Sequence, residues 1–413
     1  MVGAVVAMVA AAIVAALLSG GEEPGEAPGP SGDFIAPVPP PDAYGPLAVG
    51  IDEANPHLVA PGPQPPEFAP WRDRLLAIEP RFLRVLIDWR RVQPSPSAGP
   101  DWAQPADGCL RGIPPCAPFS GIVDELRAAK AAGMQPVVVI LNTPEWAAVG
   151  PSGCEGDAGA HARMTADLEA YRVLVRSLLE LGEREGIALP WWSAWNEPNH
   201  PTFFGPQRAR CDASAPVQSA ERYAELVRAM KAELDAAPGR QRILLGETAG
   251  FYAPRPAATS AAEFAAALPR DVVCSADVWA QHAYVKVDDE LAADATGGAG
   301  APELLRDVER ALDVKSCEGG PLPIWITETG ASPHAGQEGC RQLAEALGRW
   351  WDDPRVSAAF QYTFREDTEF RSGLADERLT ELRPAYAAWK ALADDGRAGV
   401  ADPAAACAGG AAR

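Results

Sequence analysis

Two short segments hold acidic residues where an idle carboxylate would be costly: WNEPN at 195–199 and WITETG at 325–330. Each embeds a glutamate, Glu197 or Glu328, at the end of an apolar run, and burying an unpartnered charge there is strongly unfavourable. Two carboxyls converging on one cleft suit the splitting of acetals. One must stay protonated near neutral pH to supply a leaving oxygen, while the other stays ionised to meet the carbon being released. Taken singly, either glutamate would pass for solvated surface charge. Their joint placement at two strand ends is the signal. Glu247, Asp88, Asp52 and Glu53 occupy comparable positions and stand as rivals or supports, although Glu247 lacks the asparagine that precedes Glu197.

Because 131 residues separate the pair (328 − 197), the fold must bring them together. Short β-branched or aromatic runs alternate with amphipathic helical runs, as a parallel sheet covered by helices requires. Strands are predicted at 47–53, 82–88, 135–141, 191–195, 242–246, 278–281, 324–327 and 356–362. Met164, Leu168, Tyr171, Val175 and Leu178 recur at helical spacing, as do Tyr223, Leu226, Val227, Met230 and Leu234. Gly133 and Gly239 sit where helix C-caps would return the chain to a strand. Eight such repeats predict an α/β chain forming a single (β/α)8 TIM barrel with long βα loops. A doubly wound open sheet is the alternative, but no glycine-rich turn follows the first strand. In a barrel, functional groups come from the carboxyl ends of strands, and strands four and seven face each other across the mouth.

WNEPN and ITETG, in this order and on these strands, resemble the two catalytic strand ends of the (β/α)8-barrel clan of retaining glycoside hydrolases. Cellulases, β-xylosidases and β-glucosidases are nearest in character, and the resemblance runs from about residue 47 to 390. It implies Glu197 as general acid/base and Glu328 as nucleophile, with Asn196 hydrogen-bonding the sugar 2-hydroxyl. Arg84 matches an arginine that keeps a carboxylate ionised. His282 and Tyr284 resemble a His-x-Tyr pair whose tyrosine donates to the nucleophile, and Trp146 resembles an aromatic wall for a sugar ring. Two departures stand out. Tyr362 or Phe364 replaces the usual tryptophan platform after strand eight, and Asn142 stands where some relatives carry histidine. The implied activity is hydrolysis of β-linked oligo- or polysaccharides by double displacement. A barrel that binds carbohydrate without catalysis and a transglycosylase are the alternatives.

The remaining composition bounds partners and compartment. Lys and Arg number 36 against 56 Asp and Glu, a net charge of −20 that disfavours nucleic acid, since phosphate binding needs clustered cations. No metal-type clustering of His and Cys occurs, and the chemistry needs no cofactor. Residues 1–21 read as a signal peptide or, uncleaved, a membrane anchor through 2–18. Residues 22–46 form a Pro/Gly/Glu-rich linker, 47–396 the catalytic barrel and 397–413 an Ala/Gly-rich loose tail. Eight cysteines in an exported chain favour disulfides. Loop geometry prefers Cys109 with Cys116, Cys154 with Cys211, and Cys274 with Cys317, leaving Cys340 and Cys407 without a reason to meet. Loops at 93–118, 150–161 and 201–218 are long enough to wall the cleft.

Overall fold

Eight parallel strands close on themselves in the computed structural model, which describes residues 46–152, 163–251, 258–285 and 302–408. The strands are β1 (Ala48–Asp52), β2 (Phe82–Asp88), β3 (Gln135–Leu141), β4 (Trp191–Ser193), β5 (Arg242–Thr248), β6 (Val278–His282), β7 (Ile324–Thr329) and β8 (Val356–Tyr362). Each pairs with its neighbours in sequence, and β1 returns to β8 through Ala48 opposite Ala358 and Asp52 opposite Tyr362. All eight predicted strands are present. The fourth is shorter than expected because the chain leaves the sheet after Ser193 and delivers WNEPN as a turn.

Helices cover the barrel through apolar stripes. Leu168–Glu185 buries Tyr171, Leu174, Val175, Leu178 and Leu181, while Met164 precedes that helix instead of joining it. Gln218–Ala236 buries Tyr223, Leu226, Val227, Met230 and Leu234. Gly133 follows the cap of helix Gly121–Ala131 in the left-handed region at φ 71°, as the turn back to β3 demands. Gly239 lies two residues past the Ala237 cap.

Inside the barrel the filling is aromatic. Trp191 and Trp325 approach to 4.4 Å between ring centroids, Phe82 and Trp325 to 4.6 Å, and Phe82 stacks on Phe360 at 5.7 Å. Gly50 makes room for this plug, since a Cβ there would stand 2.2 Å from the Phe360 ring. These rings form a floor beneath the strand ends, and Trp325 lies three residues before Glu328 on β7.

Disulfides join Cys109 to Cys116, Cys274 to Cys317 and Cys340 to Cys407. The last corrects the expected loose tail: residues 397–408 carry helix Pro403–Ala408, pinned by Cys407 to helix Gly336–Asp352. Residues 1–45, and Cys154 of the expected pair with Cys211, lie outside the described residues. Three disulfides fit a compartment outside the reducing cytoplasm. Among the described residues no helix is long and apolar enough to cross a membrane.

The aromatic plug should carry a large share of stability. Trp325→Ala is expected to destabilise the barrel by about 3–5 kcal/mol, the usual cost of emptying a buried tryptophan site. Urea unfolding followed by circular dichroism measures it.

Candidate active site

Three strand ends turn sharply to present their polar residues. Asn142, Glu197 and Glu247, after or at the ends of β3, β4 and β5, have φ of 59°, 44° and 48°. Non-glycine residues held at positive φ cost roughly 1–3 kcal/mol each and need surrounding structure to hold them. The WNEPN turn supplies it. Trp195 is buried and donates its indole N–H to the Phe203 carbonyl at 2.9 Å. The Asn196 and Glu197 backbone N–H groups donate to the carbonyls of Ile140 and Glu247, each at 2.9 Å. Fully buried Asn199 clamps the loop after β5, donating to the carbonyls of Ala249 and Thr259 and accepting from the Ala249 N–H at 2.8 Å. On β5 the pairing register passes from Gly246–Ala280 to Thr248–Gln281, so Glu247 is left over as a bulge. A similar irregularity between β6 and β7 brings His282 opposite Glu328.

One buried guanidinium gathers the result. Arg84 Nη1 donates to Glu328 Oε1 at 2.6 Å and Asp52 Oδ1 at 3.0 Å, and Nη2 donates to Asn196 Oδ1 at 2.7 Å and Glu247 Oε2 at 2.8 Å. His282 forms the second junction. Its Nδ1 lies 2.7 Å from Glu197 Oε1 and 3.3 Å from Glu328 Oε2, and its Nε2 lies 2.9 Å from Glu247 Oε2. The Tyr284 hydroxyl donates to Glu328 Oε2 at 2.6 Å.

The charges are interdependent. Burial disfavours the imidazolium of His282, yet Glu328, Glu197 and Glu247 outweigh it and push the pKa up to about 10. Burial raises Glu197, but the hydrogen bond and charge of His282 prevail and hold it below the usual carboxylate range. Glu247 is also lowered, with Arg84 and His282 overcoming its burial. Asp52 goes the other way. Burial, aided by repulsion from Glu328 and Glu247, lifts it to about 8 despite Arg84. With two cations among four carboxyl groups, a proton on Asp52 limits the excess negative charge.

Six of the expected site residues, Asn196, Glu197, His282, Tyr284, Glu328 and Tyr362, line one cavity of about 450 Å³ at the barrel mouth. An oxygen of Glu197 and one of Glu328 lie within 4.8 Å of each other, with His282 equally near. Donor atoms this close could hold a cation, but protonated His282 already places a positive group among them. Arg84 sits behind this surface, only 2% exposed.

Two expected residues fall elsewhere. Trp146 does not line the cavity: it packs edge-on against Trp89 at 5.7 Å and donates to the Gln93 carbonyl at 3.2 Å. Asn142 turns its amide to Asp88 Oδ2 at 2.9 Å, tying β3 to β2. Of the two candidates for the strand-eight platform, Phe364 is fully buried in the outer core, whereas Tyr362 faces the cavity. Glu247 and Asp52 do not reach the cavity, and Glu53 spends its carboxylate on the Asn55 and Arg365 backbone N–H groups, both at 2.9 Å. Sequence reasoning missed the aromatic walls, Phe370 beside Tyr284 at 4.7 Å and Phe251 beside His200 at 5.0 Å. Both lie in loops without a periodic signal.

No protein-family model matches the chain, and no curated protein matches it. Solved structures do. A family 39 glycoside hydrolase from the gut symbiont Bacteroides cellulosilyticus WH2 superposes with a TM-score of 0.53 at 16% identity, covering 85% of this chain and 64% of that one. A GH5_18 protein from Streptomyces cattleya, solved in complex with Manb1-4GlcNAc, gives 0.52 at 16% identity over 85% of this chain and 80% of that one. GH5_18 from Bifidobacterium longum subsp. infantis gives 0.51 at 17%, with 84% and 79% covered. At such identities the likeness is one of fold. The chain thus spans a little under two thirds of the family 39 structure's length.

Two consequences of the charge cluster are measurable. Glu247→Gln removes one of the anions that hold the proton on His282, so the imidazole should titrate below the value of about 10 in a nitrogen-15 NMR titration. Asp52 at about 8, and Glu53 and Glu366 each at about 7, are raised by burial. The folded chain therefore holds more protons than the unfolded one between the ordinary carboxylate range and those values. Stability should fall as pH rises from about 5 to 8, and His282 acts in the same direction above its ordinary value. Melting temperatures across that range test the sign; a rise with pH contradicts it.

Proposed function

We propose that the protein is an extracytoplasmic retaining glycosidase, with Glu328 as nucleophile and Glu197 as acid/base, acting on β-linked glycosides. The observation that carries this reading is the approach of their oxygens to within 4.8 Å in one cavity. Retaining enzymes hold their carboxyls about 5–5.5 Å apart, whereas inverting ones need about 6.5–9.5 Å to admit a water. The fold neighbours named as glycoside hydrolases support the same reaction class. Three disulfides support a site of action outside the cytoplasm, reached through residues 1–21 as export segment or anchor.

In the first step a Glu328 oxygen attacks the anomeric carbon, and the bond to the leaving oxygen breaks with its electron pair on that oxygen. Glu197 delivers the proton. Arg84 and the Tyr284 hydroxyl orient the attacking carboxylate, one at each oxygen, at 2.6 Å. In the second step water attacks the glycosyl ester, Glu197 takes its proton, and the anomeric configuration is restored.

The free site holds Glu197 ionised, so the proton must come from within reach. His282 Nδ1, at 2.7 Å from Glu197 Oε1, carries it. Once a sugar displaces water, the neutral carboxylic acid and imidazole are favoured over a charged pair in the drier medium, and the proton moves to Glu197.

Glu328→Gln should abolish turnover of every glycoside that the wild type cleaves. Glu197→Ala should lose about 10²–10⁴-fold on substrates with poor leaving groups, retain the first step on activated aryl glycosides, and recover with azide to give a glycosyl azide of unchanged configuration. Proton NMR of the first-formed sugar reads the stereochemistry, and an inverted product refutes the assignment.

A further inference from the structure

The loop at 93–120, between β2 and the helix that begins at Gly121, does not hang free over the barrel mouth. The Cys109–Cys116 disulfide joins its two limbs. The loop is then tied to its neighbours on both sides. Toward the β1 end, the Asn55 amide donates to the Gly108 carbonyl at 3.3 Å, and His57 Nε2 lies 3.3 Å from the Pro118 carbonyl. Toward the loop after β8, Arg365 donates to the carbonyls of Ile113 at 2.9 Å and Pro115 at 3.1 Å, while Arg365 is itself only 5% exposed. From the loop's tip Arg111 pairs with Glu369 and approaches Asp367 to 3.9 Å, and all three side chains line the cavity.

This bridge stands on one side of the reacting pair. Asp367 accepts from the Tyr362 hydroxyl at 3.0 Å, and Tyr362 and Phe370 pack around Tyr284, which touches Glu328. Another wall stands by Glu197. His200 follows it in the same turn and groups with Phe203 at 5.4 Å and Phe251 at 5.0 Å. In a displacement by Glu328 with protonation by Glu197, the attacked sugar lies over the Glu328 side and the leaving group departs on the Glu197 side. The cavity of about 450 Å³ is near the small end of the ~300–1,000 Å³ range of ligand pockets.

Resting on the glycosidase reading above, we propose that the cleft is closed at the sugar-binding end by the Arg111–Glu369 bridge. The protein then removes one sugar from a non-reducing terminus and releases a leaving group that lies against the aromatic His200–Phe203–Phe251 wall. The ion pair is half exposed at Arg111 and adds little stability. Its consequence is steric, because the bridged side chains occupy the space a second sugar would need.

The test uses the full chain and the best substrate from a panel of aryl β-glycosides, extended to a reducing-end-labelled tetrasaccharide of the same sugar. A second tetrasaccharide carries a ketal across its non-reducing-end hydroxyls. The open substrate should yield monosaccharide as the sole first product, and the blocked one should react at least 100-fold more slowly. Arg111→Ala, which lengthens the cavity at that end, should raise the blocked-to-open rate ratio at least tenfold. Cleavage of the blocked chain at an internal bond by the wild type overturns the closure while leaving the glycosidase reading intact. A ratio unchanged by Arg111→Ala overturns the role of the bridge. Failure to hydrolyse any glycoside in the panel removes the glycosidase reading, and this inference with it.

Discussion

A single buried cation organises the barrel mouth. Arg84 rises from β2 and meets groups from β1, the β4 turn, the β5 bulge and β7, so half the strands send a ligand to one guanidinium. Its planar fork suits this task, because each terminal nitrogen can serve two acceptors in fixed directions. Without it, Asp52, Glu247 and Glu328 would repel one another in a medium that screens poorly. Such clusters are weak contributors to stability, since desolvation cancels most of the attraction. What Arg84 supplies is geometry: it fixes Glu328 and, through Asn196, the turn that carries Glu197.

Strain and irregularity then aim the side chains. The mouth contains non-glycine residues at positive φ, after or at the ends of β3, β4 and β5, and breaks in strand register in the β5–β6, β6–β7 and β7–β8 pairings. A regular strand alternates its side chains and would send neighbouring residues to opposite faces. Bulges relax that alternation. They allow Glu247 and His282 to enter the same cluster from adjacent strands, and they place Glu328 beside both. The aromatic plug below gives these strained ends a rigid base.

The parts legible in the sequence were those that periodicity or position determines. Eight strands stood out as apolar runs, and Glu197 and Glu328 stood out because strand ends in a barrel face the mouth. The bulges left no pattern, so the sealed role of Glu247 could not be separated from a catalytic one. Trp146 is hard to place for a related reason: an aromatic just past a strand end can turn inward or pack outward, and here it packs on Trp89 and donates to the Gln93 carbonyl. Phe370 lies eight residues beyond β8 in an irregular loop, where neither helical nor strand spacing marks it. Cys340 and Cys407 meet only because two helices after β7 and β8 pack together, a tertiary fact.

Three glutamates of one chemistry end in three different environments. The Glu247 side chain is wholly sealed and spends one oxygen on both Arg84 and His282, so it holds charges in place without touching a ligand. The Glu328 side chain, 8% exposed, takes a strong donor on each oxygen, which leaves it oriented at the cavity surface. The Glu197 side chain, at 14%, is the most open of the three and faces a proton-bearing imidazole on one side and the cavity on the other. The sealed glutamate thereby bears on His282: its charge helps keep a proton on the ring, whose Nδ1 lies 2.7 Å from Glu197 Oε1. Removing negative charge at Glu247 would therefore be felt at Glu197, although Glu247 lies behind the cavity wall.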